Sequence, residues 1–399
     1  MTLTPKHTKL AGYVGYLTQA LTINYLPLLF ITFTDIYDIS FTKLSLLIAI
    51  SFSTQLLTDL FELKFSSKLN LRASVVIAHI LAVIGMTGYA YIPSLTPTPF
   101  LGLIICVVIS AIGAGLVEVL ISPIVEACPT DKKSAAMSIL HSFYCWGQVG
   151  VTLLSTLFFK TVGIEHWKLL ACLWAIIPAI GAIAFSIVPI YTLEGDMEGA
   201  RSHDNSKNQW GLFAVFFILM VCAGAAEMAM SQWASSFAEA SLGIDKTTGD
   251  LLGPCFFALL MGSARLIHAR LSSKIALKPT LMISAALCIV SYLTAALAPI
   301  PIIALIGCAL CGLSVGIMWP GTYSLAAKNI THINMSAFAL LAIGGDLGCT
   351  VGPAAVGWIA AFFGNNLKIS FLIASVFPIA ILTLLLVYGK KIKNRKKDV

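Results

Sequence analysis

Charge is what this sequence has least of. Only 11% of its 399 residues are Asp, Glu, Lys or Arg, against roughly 25% in a soluble globular domain. That scarcity excludes an ordinary water-facing surface. The net charge of +7 does not restore a nucleic-acid partner, because six of the 25 basic residues fall in the last ten, beside a terminal apolar run. A basic tail so placed suits an anionic inner leaflet. The ten cysteines are scattered singly, apart from Cys308 and Cys311, with no CxxC pair near suitable partners. Neither a disulfide framework nor a zinc site is indicated. Hydrolase signatures, phosphate loops and metal clusters are missing too, so no cofactor and no enzyme activity are expected. His166, His203 and His332 fall in loops and are assigned no chemistry.

What is abundant is apolar: 58% of the chain. It is arranged as twelve runs of about 20 residues, the length that crosses a bilayer as helix, from 11–34 to 368–389. The first run is too long for a signal peptide and is expected to stay as a span. Lys and Arg crowd one set of loops and ends; the opposite set carries only Lys43, Lys160, Lys168, Lys246 and Lys368. This bias predicts a multi-pass protein of the inner (cytoplasmic) membrane with both termini in the cytoplasm.

The longest polar stretch, Thr192 to Gln209, divides the runs six and six. The expected organisation is an N-terminal six-helix bundle (1–191), a cytoplasmic linker (192–209), and a C-terminal six-helix bundle with the basic tail (210–399). An internal repeat supports the division. Lys64-Phe-Ser-Ser-Lys-Leu-Asn-Leu-Arg72 matches Arg270-Leu-Ser-Ser-Lys-Ile-Ala-Leu-Lys278 at a constant offset of 206 residues. Two hydrophobic halves with corresponding loops are a transporter signature.

Three acids fall near mid-membrane: Glu118, Glu227 and Asp346. Each would cost on the order of 3 kcal/mol in hydrocarbon, so they are expected to line an aqueous cavity and to exchange the coupling proton. In the fifth run His141, Cys145, Gln148 and Thr152 share one helical face. Trp146, Trp233, Trp319 and Tyr323 offer flat apolar faces with a donor each, which suits sugars. Gln232, Asn24, Tyr25 and Gln55 complete the candidate substrate-binding set. Asp59 and Arg265 lie 206 residues apart, at matching positions with opposite signs, and are expected to serve in gating.

The spans, the six-and-six division and the loop repeat resemble the major facilitator superfamily, although Leu63 to Arg72 lacks that family's loop glycines and acid. Four segments resemble its fucose permease branch: Gly115-Leu-Val-Glu118 with Ser122-Pro123 and the His-Ser-Phe run; Ala225-Ala-Glu227 with Gln232-Trp233; Gly316 to Leu325; and Gly344-Gly-Asp346 with Gly352-Pro353. The resemblance implies an all-α membrane protein of twelve helices in two pseudo-symmetric bundles. It implies proton-coupled uptake of a sugar or related small polar solute by alternating access, by a monomer, with Glu118 as the coupling acid and sodium as the alternative ion. It departs in the first run, which has Asn24 and Tyr25 but no acid before Asp35. An exporter of drug-like compounds shares the fold, and a non-transporting sensor or scaffold is the reading from another class. The acids weigh against a scaffold, which has no use for their insertion cost.

Overall fold

The computed structural model describes residues 3–65, 70–129, 133–191, 207–271, 276–330 and 335–395. The Ser-Ser-Lys parts of both matching loops, residues 192–206 of the expected linker, and the last four residues lie outside them. Among the described residues every regular element is helical.

Among the described residues eleven stretches are long and apolar enough to cross a membrane. They are the first span, Pro5–Tyr37, the second, Phe41–Glu62, the third, Leu71–Leu95, and the fourth, Pro99–Ala127. Then come the sixth, Ile164–Ile187, the seventh, Trp210–Ser241, the eighth, Lys246–His268, and the ninth, Leu277–Leu297. Pro301–Ala326, Leu340–Phe362 and Leu367–Val387 are the tenth to twelfth. The fifth is the 30-residue helix Lys133–Val162. It is long enough to span, and its polar face of His141, Gln148 and hydroxyl side chains keeps it out of the apolar set.

Four spans, the third, fourth, eighth and twelfth, start at polar caps. The side chains of Asn70, Thr98, Asp245 and Asn366 accept from backbone N–H groups two or three residues ahead, satisfying donors that a helix start leaves open. At exposed Asp245 the bonds from Thr248 hold the carboxyl below its ordinary range. The first span is broken by a tight 3₁₀ turn at Leu26–Leu29, where Pro27 removes a donor. Wider π-helical turns occur at Phe237–Ser241 and at Leu251–Cys255, the latter containing Pro254.

The chain divides into two compact units: Met1–Asp196 with Asp245–Leu251, and Met197–Ile244 with Leu252–Val399. In the first unit, small residues bring the third and fourth spans together. A Cβ at Gly113 would stand 2.7 Å from the carbonyl oxygen of Ala78. The stretch Asp245–Leu251 belongs to this unit through Lys246, whose Nζ donates to the Leu28 carbonyl at 2.6 Å. Lys246 also pairs with Asp250 at 3.2 Å. Thr156 in turn donates to the fully buried Asp250, again at 3.2 Å.

In the second unit the seventh and eleventh spans are the closely packed pair. A Cβ at Gly348 would fall on the Val221 carbonyl oxygen, and one at Gly352 would stand 2.5 Å from that of Ala225. Such close backbone approach is how helices associate where lipid removes the hydrophobic drive between them.

Candidate functional site

The first unit gathers its polar side chains where the first, fourth and fifth spans meet. Gln19 donates from Nε2 to Glu118 Oε2 at 2.6 Å. Gln19 is buried, while Glu118 is half-buried and keeps some access. One turn away Tyr16 shares a hydrogen bond with Ser122 at 2.7 Å, and its ring meets His141 edge-on at 5.1 Å. Glu118 is thus held by a neutral amide, a partner for either the carboxylate or the protonated acid.

The second span reaches the same place through Gly115, one turn before Glu118. A Cβ there would meet Thr58 at 3.1 Å and both Gln55 and Asp59 Oδ1 at 3.3 Å. Gln55 is buried, and its Nε2 meets no acceptor among the described residues.

The second unit repeats the device. Gly316 of the tenth span admits the eighth, a Cβ there standing 2.8 Å from the Met261 carbonyl and 3.0 Å from Ala264. Gln55, Thr58 and Asp59 correspond to Met261, Ala264 and Arg265 at the 206-residue offset read from the loops. The two halves therefore pack their second helices in one register.

Arg265 is where the halves differ most. Its sequence position suggests a gate; the structure gives it an acid of its own unit, its Nη2 standing 3.5 Å from Glu227 Oε1. A long side chain on a helix leans toward the N-terminus, which carries the guanidinium back into the span. Asp59 likewise sits beside the helix of Glu118.

Trp319 lies one turn beyond Gly316. Its ring covers Gly345, so that a Cβ at Gly345 would collide with it. Asp346 follows directly and is half-buried, as is Tyr323, whose ring centroid is 6.5 Å from that of Trp319. Gln232 is buried with an Nε2 that meets no acceptor among the described residues.

Three of the aromatic candidates have surroundings that an open cavity wall does not require. Tyr25 is fully buried and donates to the Trp167 carbonyl at 2.7 Å. Trp233 is fully buried and donates to the Pro353 carbonyl at 2.9 Å. Both donors serve packing within one unit. Trp146 lies on the exposed apolar stripe Ile139, Trp146, Leu153 and Leu157, two residues from Gln148 and so on the other side of the helix. Asn24 is buried, its amide donating to the Ala20 carbonyl at 2.8 Å and to Tyr144 at 3.5 Å. Gln148 and Thr152 are buried on the expected polar face of the fifth span, which continues one turn to Thr156 and its bond with Asp250.

Gln19 and the Lys246–Asp250 pair are additions that the sequence reading does not contain. Gln19 is open to the rule that singles out Glu118, a polar side chain inside an apolar run. The Lys246–Asp250 pair has the i,i+4 spacing of a helix face, whereas its partners Leu28 and Thr156 show only in the folded chain. Among the described residues no group of His, Cys, Asp and Glu could hold a metal.

No curated protein matches the sequence significantly. Among solved structures, the xylose transporter XylE of E. coli, in a partially occluded inward-open conformation, is 13% identical over 96% of this chain and 99% of its own, with a TM-score of 0.75. The E. coli fucose:proton symporter FucP is 14% identical over 95% and 98%, with a TM-score of 0.64. The nucleoside transporter NupG is 14% identical over 98% and 100%, with a TM-score of 0.72. At such identities the likeness is one of fold. The sequence model of the Major Facilitator Superfamily matches residues 12–333 and, again, 215–398. That match spans most of the chain, and so the chain is a transporter, not an enzyme, and it belongs to the Major Facilitator Superfamily.

Proposed function

We propose that this chain takes up a sugar or related small polar solute together with protons, by alternating access across the inner membrane, with both termini in the cytoplasm. One observation carries the reading: Glu118, a half-buried acid deep in the fourth span, is held by Gln19 at 2.6 Å. An acid placed there at a cost of about 3 kcal/mol, with an amide that suits both of its protonation states, is a site for a travelling proton. The amides of Gln55 and Gln232 support a hydroxyl-bearing solute, since a buried donor gains most from an acceptor brought to it. A D-xylose-proton symporter and the fucose:proton symporter FucP stand among the structural neighbours, which agrees with this reading.

The test is uptake by the purified protein in liposomes, offered labelled sugars and nucleosides. Acid outside should drive accumulation of at least one solute, and a protonophore should abolish it. Accumulation that follows a sodium gradient and ignores the pH gradient would replace the proton. No accumulation of any hydroxyl-bearing solute would remove the reading.

A further inference from the structure

We propose that the start of the eighth span is a latch: Asp245–Leu251 docks on the first unit while the outer side is shut and leaves it when that side opens. This rests on the alternating access and the topology of the reading above, and not on its sugar or its proton.

By chain order Asp245–Leu251 belongs to the second half, since it follows the seventh span and opens the eighth. By packing it belongs to the first unit, and the second unit resumes at Leu252. Its partners lie far away along the chain. Lys246 Nζ donates to the Leu28 carbonyl at 2.6 Å and stands 5.9 Å from the centre of the Phe159 ring. Thr156, one turn before Phe159 on the fifth span, donates to Asp250 at 3.2 Å. Thr156 lies 23 residues beyond Lys133, about 35 Å along the helix. With Lys133 at the cytoplasmic end, the docking site is at the outer one.

The stretch is built to let go. Lys246 and Asp250 stand one turn apart and pair with each other at 3.2 Å, so each keeps its counter-charge when the stretch moves. That matters because Asp250 is fully buried, and parting a buried charge from its partner is strongly unfavourable. The backbone on both sides is fitted to bend. π-helical turns flank the stretch at Phe237–Ser241 and Leu251–Cys255, and such turns interrupt regular helical bonding and recur at functional sites. Pro254 removes one more backbone donor. Gly243 turns the chain between the seventh and eighth spans with a φ of +64°, a conformation that glycine adopts freely.

A fixed structural tie is the simplest alternative. It would hold part of the second half on the first unit through every cycle, and it gives the two π turns no purpose.

Hydrogen–deuterium exchange of the purified full-length protein, read by mass spectrometry, tests the latch without any solute. Thr156→Val removes a bond from the first unit and leaves the stretch itself unaltered; Lys246→Met with Asp250→Asn removes the pair without orphaning a charge. Both should speed exchange of residues 245–255 by about fivefold or more. Both should also slow exchange at the cytoplasmic ends, residues 133–140 and 265–268, because opening outside closes the carrier inside. The reverse is expected of Thr156→Cys with Asp250→Cys joined by a short bis-thiosulfonate cross-linker: slower exchange at the stretch, faster at the cytoplasmic ends, both undone by reductant. Reversal within one sample excludes misfolding as the cause. Changes confined to residues 245–255 overturn the latch and leave a structural tie, and unchanged exchange throughout overturns it as well. Cytoplasmic ends that ignore the reductant also overturn it. The reciprocal pattern in a protein that accumulates no hydroxyl-bearing solute upholds the latch and removes the sugar reading alone.

Discussion

Glu118 and Gln19 show how one contact decides the character of a membrane site. The acid is expensive in hydrocarbon, and the amide provides the donor that makes it tolerable at 2.6 Å. Removing only the amide leaves the acid's oxygen unsatisfied, at about 1–3 kcal/mol, whereas removing both partners can be nearly neutral. Gln19→Leu should therefore lower the melting temperature of the purified protein, and adding Glu118→Leu should recover most of the loss. Additive losses in that double-mutant cycle would mean that the contact is incidental. Sequence alone marks such residues unevenly. Glu118, Glu227 and Asp346 stand out because intramembrane charge is rare and costly. Which partner each one finds is a matter of how helices face one another, and nothing along the chain announces that Arg265 turns to Glu227. The donors of Tyr25 and Trp233 go to carbonyls 142 and 120 residues away, a distance over which no pattern in the sequence reaches.

Helices are easier to read than residues, because a bilayer demands about 20 apolar residues for each crossing. The ends are harder. The first helix starts at Pro5 rather than at residue 11, since Lys6 and Lys9 continue it into the headgroup region, where long basic side chains are at ease. The fifth span is legible in its polar face, and the same periodicity places Trp146 on the opposite side, among Ile139, Leu153 and Leu157. At this scale the glycines are the working parts. Gly348 lies on the seventh span's backbone, where an added Cβ would strike the Val221 carbonyl and stand 2.8 Å from the Ala225 nitrogen. Neither atom can move without the helix, so Gly348→Ala should cost about 1–3 kcal/mol, as overpacking does. Gly150 has nothing within 4 Å of its would-be Cβ, and Gly150→Ala should hold or raise stability by up to about 1 kcal/mol through helix propensity. Thermal melts of the two variants in detergent check the contrast; equal effects would mean that the close approach of the seventh and eleventh spans is not a stability determinant.

Across the whole molecule the repeat is the organising fact. The loop motif gives an offset of 206 residues, and the same offset relates Gln55, Thr58 and Asp59, packed on Gly115, to Met261, Ala264 and Arg265 beside Gly316. Helix number and pairing are legible because a duplicated bundle keeps its spacing. The chemistry is not, because the two halves have diverged where it matters: an amide and an acid at Gln19 and Glu118, an ion pair at Glu227 and Arg265. In the proposed mechanism the proton is carried at Glu118, apart from the binding of the solute. Glu118→Gln separates these roles, because the amide keeps the shape and hydrogen bonding of the protonated acid but cannot release a proton. The direct measurement compares wild type with Glu118→Gln in liposomes, in two modes: exchange of labelled for unlabelled solute, and accumulation driven by a pH gradient. The mechanism predicts that the variant still exchanges solute and no longer accumulates it. A variant that accumulates solute on a pH gradient as wild type does would contradict it, and the proton would then have to be sought at Glu227 or Asp346.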